Sequence, residues 1–245
     1  MGILLALKNF FFVLKCPSCG DPLPLGREGN GIFCAECAAK WNDCKNTVCP
    51  ECGNVATSCR CMPPLMKKAR ISALLKLGFY GSESTTVVKT VLYMKDIRDK
   101  RVFDFVSSEL CSLTDAFFEE QKIDPKDVIF TFLPRGRKNL QKTGFDQAEI
   151  LSKLCSQSYG AVFVKAVRRK MISKKQKGLG NDGRLKNARA SLRPLKGIDL
   201  TGKTVVLVDD VTTSGASFAI GAKCLRSSGA KRIICLSVTK TFEKN

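Results

Sequence analysis

Clustered cysteines and the absence of histidine define the metal chemistry open to this chain of 245 residues. Nine of its 13 cysteines lie between Cys16 and Cys61. Without histidine there is no imidazole base, no histidine-activated nucleophile and no imidazole metal ligand, so a metal site must use thiolates or carboxylates. Cytosolic thiols stay reduced, and the cluster therefore favours metal binding. Disulfides in a secreted domain are the alternative, which the missing secretion signal disfavours.

The cysteine spacing predicts two structural zinc sites with four thiolates each. Each set opens with a C-x-x-C knuckle followed by glycine, Gly20 or Gly53, which can supply a positive-φ turn. Four thiolates enclose zinc in a closed tetrahedron, which is a structural site rather than a catalytic one. Because the second set ends in an unusual C-x-C, Cys44 remains an alternative ligand there. The predicted ligands are Cys16, Cys19, Cys34 and Cys37 in the first site, and Cys49, Cys52, Cys59 and Cys61 in the second.

A second group of reactive side chains follows the apolar run 205–208. Two adjacent carboxylates, Asp209 and Asp210, end this predicted strand, and a short turn then leads into a predicted helix. Hydroxyls, backbone N–H groups and a helix N-terminus together bind a monophosphate. The carboxylates can accept hydrogen bonds from a cis-diol or hold Mg²⁺ through water. The pattern favours a phosphorylated sugar, and the alternative is a plain turn in which Asp210 only caps the helix. The turn residues are Thr213, Ser214, Gly215, Ala216 and Ser217.

The strands and helices predicted around this turn indicate an α/β domain with a parallel sheet. Strands that alternate with helices are typical of parallel sheets with crossover helices. Residues 65–127 carry helical patterns, with helices expected around 87–91 and 102–118, and show no readable chemistry. The remaining elements are strands at 128–133, 161–167, 204–208 and 233–238, and helices at 147–158 and 216–228.

The chain is expected to divide into two domains. Residues 1–62 comprise a short N-terminal helix and the double zinc ribbon, and residues 63–245 comprise the α/β domain, with 65–127 as its hood. The apolar residues of 1–15 follow helical spacing and are interrupted by Lys8. We expect this helix to dock on the body of the protein, with contact to a membrane surface as the alternative. No run of ~18 apolar residues occurs, so we expect no membrane span and a cytoplasmic protein.

Residues 205–217 resemble the ribose-5-phosphate motif of type I phosphoribosyltransferases, the users of 5-phosphoribosyl diphosphate (PRPP). The resemblance implies that Asp209 and Asp210 contact the ribose hydroxyls as the catalytic carboxylates. It also implies that residues 213–217 wrap the 5-phosphate and that Mg²⁺ is a cofactor. Thr212 is a departure, because the family usually has an aliphatic or aromatic residue there.

Further blocks narrow the resemblance to the ComF/GntX group, the competence-protein-F-like proteins. The group combines an N-terminal double zinc ribbon with a type I phosphoribosyltransferase domain of Rossmann-like α/β fold. Its P-l…RGFNQ block is similar to Leu133-Pro134 and Gly144-Phe145-Asp146-Gln147, with Thr143 in place of the arginine. The resemblance implies a link to DNA uptake in natural transformation. The flexible-loop block of the group is matched by Ser173, Gln176, Leu179, Arg184 and Asn187.

Basic residues concentrate between Pro134 and Arg193, where sixteen lysines and arginines stand against three acidic residues. Arg135, Arg137 and Lys138 suit a diphosphate leaving group. The segment 169–192, which holds the flexible-loop block, is expected to form a mobile lid or a solvated connector. A small anion does not need so much charge. Binding of single-stranded DNA and a plain basic surface therefore remain as alternatives.

Three functions fit these patterns. The first is a Mg²⁺-dependent phosphoribosyltransferase with an unidentified acceptor, and the second is a PRPP-sensing protein without catalysis. The third is an accessory protein that binds single-stranded DNA or DNA-uptake proteins. Turnover of PRPP to diphosphate separates the first two. Salt-sensitive binding to single strands tests the third, which is compatible with the first.

Overall fold

The centre of the fold is a parallel sheet of five strands in the order β1-β7-β6-β2-β3. The computed structural model describes residues 14–23, 31–81, 85–170 and 191–241. Strands β4 and β5 form a separate antiparallel pair. In chain order the strands are β1 (Ala73–Tyr80), β2 (Val128–Phe132), β3 (Val162–Phe163), β4 (Val167–Arg169), β5 (Leu192–Pro194), β6 (Thr204–Thr212) and β7 (Arg232–Thr241).

Helices cover both faces of this sheet, as a buried parallel sheet requires. Successive residues of β6 point to opposite faces, so Val206 and Val208 join one hydrophobic cluster while Val205 and Leu207 join the other. The predicted α/β fold with a parallel sheet is confirmed. The helices are α1 (Ala35–Asn46), α2 (Pro64–Lys68), α3 (Thr85–Asp96), α4 (Lys100–Glu120), α5 (Arg137–Thr143), α6 (Gln147–Ser158) and α7 (Ala216–Ser227), with a 3-10 turn at Pro125–Asp127.

The hood region contains a strand that the sequence did not indicate. The expected helices correspond to α3 and α4, but β1 precedes them and pairs with β7 in the central sheet. Seven of its eight residues are buried, so it shows no alternation of polar and apolar positions. Lys76 and Gly78 interrupt its apolar run. A buried lysine and a glycine weaken a strand pattern in the sequence, which explains why β1 was missed.

The N-terminal cysteine-rich part packs on the sheet-bearing part. Trp41 of α1 is fully buried and shares one hydrophobic cluster with Phe103 of α4 and Val206 of β6. The division of the chain between residues 62 and 63 stays a prediction. The expected helix at 1–15 lies outside the described residues, apart from Leu14 and Lys15. Among the described residues, none of the helices combines the length and apolar character that a membrane crossing needs.

Candidate functional site

The eight predicted metal ligands lie in two separate groups of four. Within each group one ligand atom of every cysteine lies within 4.8 Å of the others. Cys19 Sγ and Cys34 Sγ are 3.8 Å apart. A tetrahedron with Zn–S bonds of about 2.3 Å has sulfur–sulfur edges of about 3.8 Å, so the donor set fits zinc. Cys44 belongs to neither group: it is buried, and its backbone oxygen faces Gly78 of β1, so its proposed role as a second-site ligand is wrong.

The first half of each group is the same short hairpin. Gly20 N donates to Cys16 O, and Gly53 N donates to Cys49 O, each over 2.9 Å. Both glycines have a positive φ, 83° and 73°, which few other residues adopt. Backbone N–H groups also point at the sulfur of Cys16. Burial raises the pKa of this thiol, but hydrogen bonds from the backbone of Cys19, Cys34 and Ser18 outweigh it and lower the pKa to about 7.

The first cluster rests on the hood helix α4. Its remaining ligands are Cys34, at the N-cap of α1, and Cys37 in the first turn of that helix. Trp41 of α1 packs against Phe105 of α4, with ring centroids 5.4 Å apart. Its Nε1 donates to Glu109 Oε2 over 3.1 Å, and Lys45 Nζ forms an ion pair of 2.7 Å with the same oxygen. Metal binding at this cluster would therefore brace the hood.

The second cluster rests on the carboxyl ends of β1 and β7. Lys76 of β1 is fully buried and donates to Cys59 O over 2.7 Å. Lys240 of β7 is also buried and pairs with Glu51 Oε1 at 2.6 Å. Burial lowers the pKa of Lys76, although Cys59 partly offsets it. Four thiolates around Zn²⁺ carry a net charge of −2. The buried lysines therefore complement the charge of a zinc-loaded second cluster.

The predicted phosphate turn lines a cavity of about 200 Å³ at the end of β6. Gly215 has a φ of 70° and caps α7, so the backbone of the turn leads directly into the N-terminus of a 12-residue helix. Such an N-terminus attracts anions because its N–H groups lack helical partners. The cavity is lined by Arg169, Asp209, Val211, Thr212, Thr213, Ser214, Gly215, Ala216, Ser217 and Phe218.

The segment that leaves the second cluster packs against the phosphate turn. A Cβ atom at Gly215 would lie 2.5 Å from Met66 Cγ and 3.2 Å from Pro63 Cβ, so only glycine fits there. Met66 belongs to α2 and is fully buried. The chain reaches Pro63 two residues after Cys61, a ligand of the second cluster. A short segment therefore connects the second cluster to the phosphate turn.

The two carboxylates have different surroundings. Asp209 lines the cavity, and its Oδ1 accepts from the backbone N–H of Asp210 over 2.9 Å. Desolvation and the neighbouring Asp210 carboxylate raise the pKa of Asp209 well above its usual range. Asp210 Oδ2 instead accepts from Gln147 Nε2 over 2.8 Å and pairs with Lys95 Nζ at 3.2 Å. Asp210 is thus engaged by cationic and amide donors, whereas Asp209 faces the cavity.

Three residues near the site were not singled out as site residues from the sequence. Arg169 lines the cavity and donates through Nε to Pro134 O over 2.8 Å. Gln147 follows the N-cap of α6, and its position in the Gly-Phe-Asp-Gln block was the signal that could have found it. Lys95 comes from the hood, where the sequence carried no such signal. The positions of all three residues beside the site depend on contacts between distant parts of the chain.

The role of the basic residues expected near a diphosphate stays a prediction. Helix α5 begins at Arg137, so Arg137 and Lys138 lie in its first turn. Neither Arg137 nor Lys138 is among the residues that line the described cavity, and both are exposed. Arg135 Nη1 donates to Lys95 O over 3.0 Å and to Thr143 Oγ1 over 3.3 Å, so its guanidinium ties two segments together. Gln176, Arg184 and Asn187 lie outside the described residues.

The chain is similar to a known protein over most of its length. No protein-family model matches the chain. Competence protein ComFC of Bacillus subtilis (strain 168) is 22% identical over 200 residues, covering 80% of this chain and 78% of that protein. The match spans most of both chains, and the two groups of four cysteines precede the α/β domain as the ComF resemblance requires. The chain therefore resembles the ComF group in its cysteine clusters and in the α/β domain that follows them.

Solved phosphoribosyltransferase structures are similar to part of this chain. The purine phosphoribosyltransferase of Pyrococcus horikoshii Ot3 is 21% identical, with a TM-score of 0.34 over 56% of this chain and 83% of its own. The adenine phosphoribosyltransferase of Thermoanaerobacter pseudethanolicus ATCC 33223 is 18% identical, with a TM-score of 0.35 over 64% and 85%. At such scores the fold assignment rests on the sheet order and the phosphate turn described above.

Proposed function

We propose that this protein binds PRPP with Mg²⁺ at the end of β6 and acts as a phosphoribosyltransferase on an unidentified acceptor. The observation that carries the proposal is a single cavity lined by both the phosphate turn and Asp209. A phosphate group at the N-terminus of α7 would place the ribose hydroxyls of the same molecule toward the carboxylates. A ligand that carries a phosphate at one end and ribose hydroxyls at the other suits this cavity.

The donor set near Asp210 suits hydroxyl groups and a hydrated Mg²⁺. Carboxylates and water are the ligands that Mg²⁺ prefers, and two carboxylates stand side by side here. Gln147 Oε1 is buried and has no hydrogen-bond partner among the described residues. A buried acceptor without a donor is costly, so a hydroxyl or a metal-bound water beside Asp210 would satisfy it. When bound, Mg²⁺ would neutralise charge on the diphosphate.

The proposed reaction breaks the bond between ribose C1 and the diphosphate oxygen, whose electron pair leaves with the diphosphate, and forms a bond from C1 to the acceptor. Positive charge develops on the sugar ring in between. The protein's contribution is mainly positioning and electrostatics. The turn 213–217 would hold the 5-phosphate, Asp209 and Asp210 would orient the hydroxyls, and the Arg169 guanidinium at the cavity edge would attract the phosphates. None of these tasks requires histidine.

The test is calorimetric titration of PRPP into zinc-loaded protein, with and without Mg²⁺. We expect Mg²⁺-assisted binding by the wild type and its loss in the double variant Asp209→Asn/Asp210→Asn. Asp199→Asn is the matched control, because Asp199 is an exposed carboxylate that accepts hydrogen bonds from Thr201 away from the cavity. Release of diphosphate on addition of candidate acceptors then separates an enzyme from a PRPP sensor. No binding to folded wild type would contradict both.

A second candidate function, binding of single-stranded DNA during DNA uptake, is favoured by the exposed positive charge near the site. The exposed cations among the described residues of this region include Arg137, Lys138, Lys142, Lys165, Arg168 and Lys170. Stacking by aromatic side chains is not supported, because Phe145 is buried and the Phe163 ring stacks on Phe132. We expect any such binding to be electrostatic and to weaken steeply as salt rises. Affinity that is independent of salt would contradict this second function.

A further inference from the structure

The hood helix α3 delivers a lysine to the proposed ribose carboxylates. Lys95, in the last turn of α3, forms an ion pair with Asp210 Oδ2 at 3.2 Å. The side chain of Asp210 is 9% exposed and that of Lys95 is 32% exposed. Solvent therefore reaches the ammonium while the carboxylate is largely enclosed. Of the two partners, the ammonium is the one that can move away.

Hydrogen bonds hold the backbone of Lys95 at this place. Arg135 Nη1 donates to Lys95 O over 3.0 Å, and Arg135 N donates to Asp146 Oδ2 over 2.7 Å. Asp146 caps α6, and the first residue of that helix is Gln147, which contacts Asp210. The contacts close a ring from Asp210 back to Lys95. Because the ring fixes the Lys95 carbonyl, its side chain can release Asp210 without the helix leaving the site.

The Lys95 ammonium and Mg²⁺ would compete for the same Asp210 carboxylate. An ammonium and Mg²⁺ that share one carboxylate repel each other. We propose, resting on the function proposed above, that Lys95 is the exchangeable counter-ion of Asp210. It disfavours Mg²⁺ in the empty site and gives way when PRPP supplies phosphate anions together with the metal. Lys95 is thus a positioning residue that makes metal entry depend on substrate entry.

The test compares Mg²⁺ binding by wild type, Lys95→Met and Lys89→Met. Lys89 is exposed on the same helix, so its replacement removes the same charge at a distance from Asp210. In calorimetric titration with MgCl₂ alone, Lys95→Met is expected to bind Mg²⁺ about fivefold more tightly, the upper end of what a partly exposed ion pair contributes. Lys89→Met and the charge-preserving Lys95→Arg are expected to match wild type. Thermal unfolding verifies that each variant is folded, and Lys95→Gln replaces Lys95→Met if the latter is not.

A second titration distinguishes this role from the function on which it rests. The increase in Mg²⁺ affinity caused by saturating PRPP is expected to be about fivefold smaller in Lys95→Met, because the variant lacks the ammonium that PRPP displaces in wild type. If Lys95→Met binds PRPP but shows unchanged Mg²⁺ affinity, the counter-ion role is overturned and the proposed function stands. If folded wild type binds no PRPP at any Mg²⁺ concentration, both are overturned.

Discussion

The two cysteine clusters use the same knuckle and brace different parts of the molecule. In the first, the knuckle is completed by a helix whose Trp41 packs on the hood helix α4. In the second, it is completed by Cys59 and Cys61, and the cluster lies on β1 and β7 beside two buried lysines. The segment that leaves the second cluster then contacts the phosphate turn at Gly215. Loss of metal from the two clusters should therefore affect the candidate site differently.

The largest expected effect comes from removing one exposed ligand of each cluster in turn. Cys19 and Cys52 occupy the same position of the repeated knuckle, and both are exposed. Each serine variant should lose about one of two zinc ions, because closed sites need all four ligands. Cys52→Ser should also weaken PRPP binding by at least about tenfold, since the phosphate turn loses its support. Cys19→Ser should lower the unfolding temperature and leave PRPP affinity within about twofold.

Zinc content by elemental analysis and PRPP affinity by calorimetry check this pair. Equal losses of PRPP affinity in Cys19→Ser and Cys52→Ser would show that the two clusters support the site alike. The loss of PRPP affinity in both variants would then reflect a general loss of stability.

A smaller effect on PRPP binding is expected when the contact between the phosphate turn and the segment that leaves the second cluster is changed. Gly215→Ala places a Cβ 2.5 Å from Met66 Cγ at a backbone φ of 70°, so the turn must shift. We expect a loss of stability of about 1–3 kcal/mol and weaker PRPP binding. Met66→Ala removes the clash but not the backbone strain. The double variant should therefore recover part of the PRPP affinity lost in Gly215→Ala, and a purely additive loss would contradict this contact.

The smallest expected effects concern the ion pairs that join each cluster to its neighbour. Glu109→Gln weakens the Lys45 pair at the hood, and Glu51→Gln removes the charge that faces the buried ammonium of Lys240. Glu109 is about one quarter exposed and Glu51 about half exposed, so each pair should contribute no more than about 1 kcal/mol to stability from its own charge. Glu51→Gln should be the more harmful, because it leaves Lys240 buried without a carboxylate. Urea unfolding of both variants measures the difference, and a larger loss in Glu109→Gln would reverse it.

Local patterns explain what the sequence could predict about this molecule. The cysteine sets and the phosphate turn each lie within a short stretch whose spacing alone implies the geometry, and the structure brings both sets of cysteines together as expected. Strand β6 was predicted to end at residue 208 but continues to Thr212, because its ladder with β7 extends past the carboxylates. This extension still leaves residues 213–217 at the start of α7.

Contacts between distant segments explain what the sequence could not predict. Lys95 approaches Asp210 because α3 packs over the sheet, and nothing in the local pattern around Lys95 indicates a binding residue. The guanidinium of Arg135, whose role beside a diphosphate stays a prediction, donates to the backbone of Lys95 and to Thr143. Strand β1 carries a lysine whose burial depends on the backbone oxygen of Cys59. Each of these features depends on the tertiary fold.

Hydrogen–deuterium exchange with and without PRPP and Mg²⁺ tests the central claim most directly. The claim is that the phosphate turn at the end of β6 binds the sugar phosphate and is supported by the segment leaving the second cysteine cluster. We predict slower exchange on ligand binding in peptides that cover 209–217 and in those that cover 62–68, with little change in α1 near the first cluster. Unchanged exchange at 209–217 under saturating PRPP and Mg²⁺ would contradict the account.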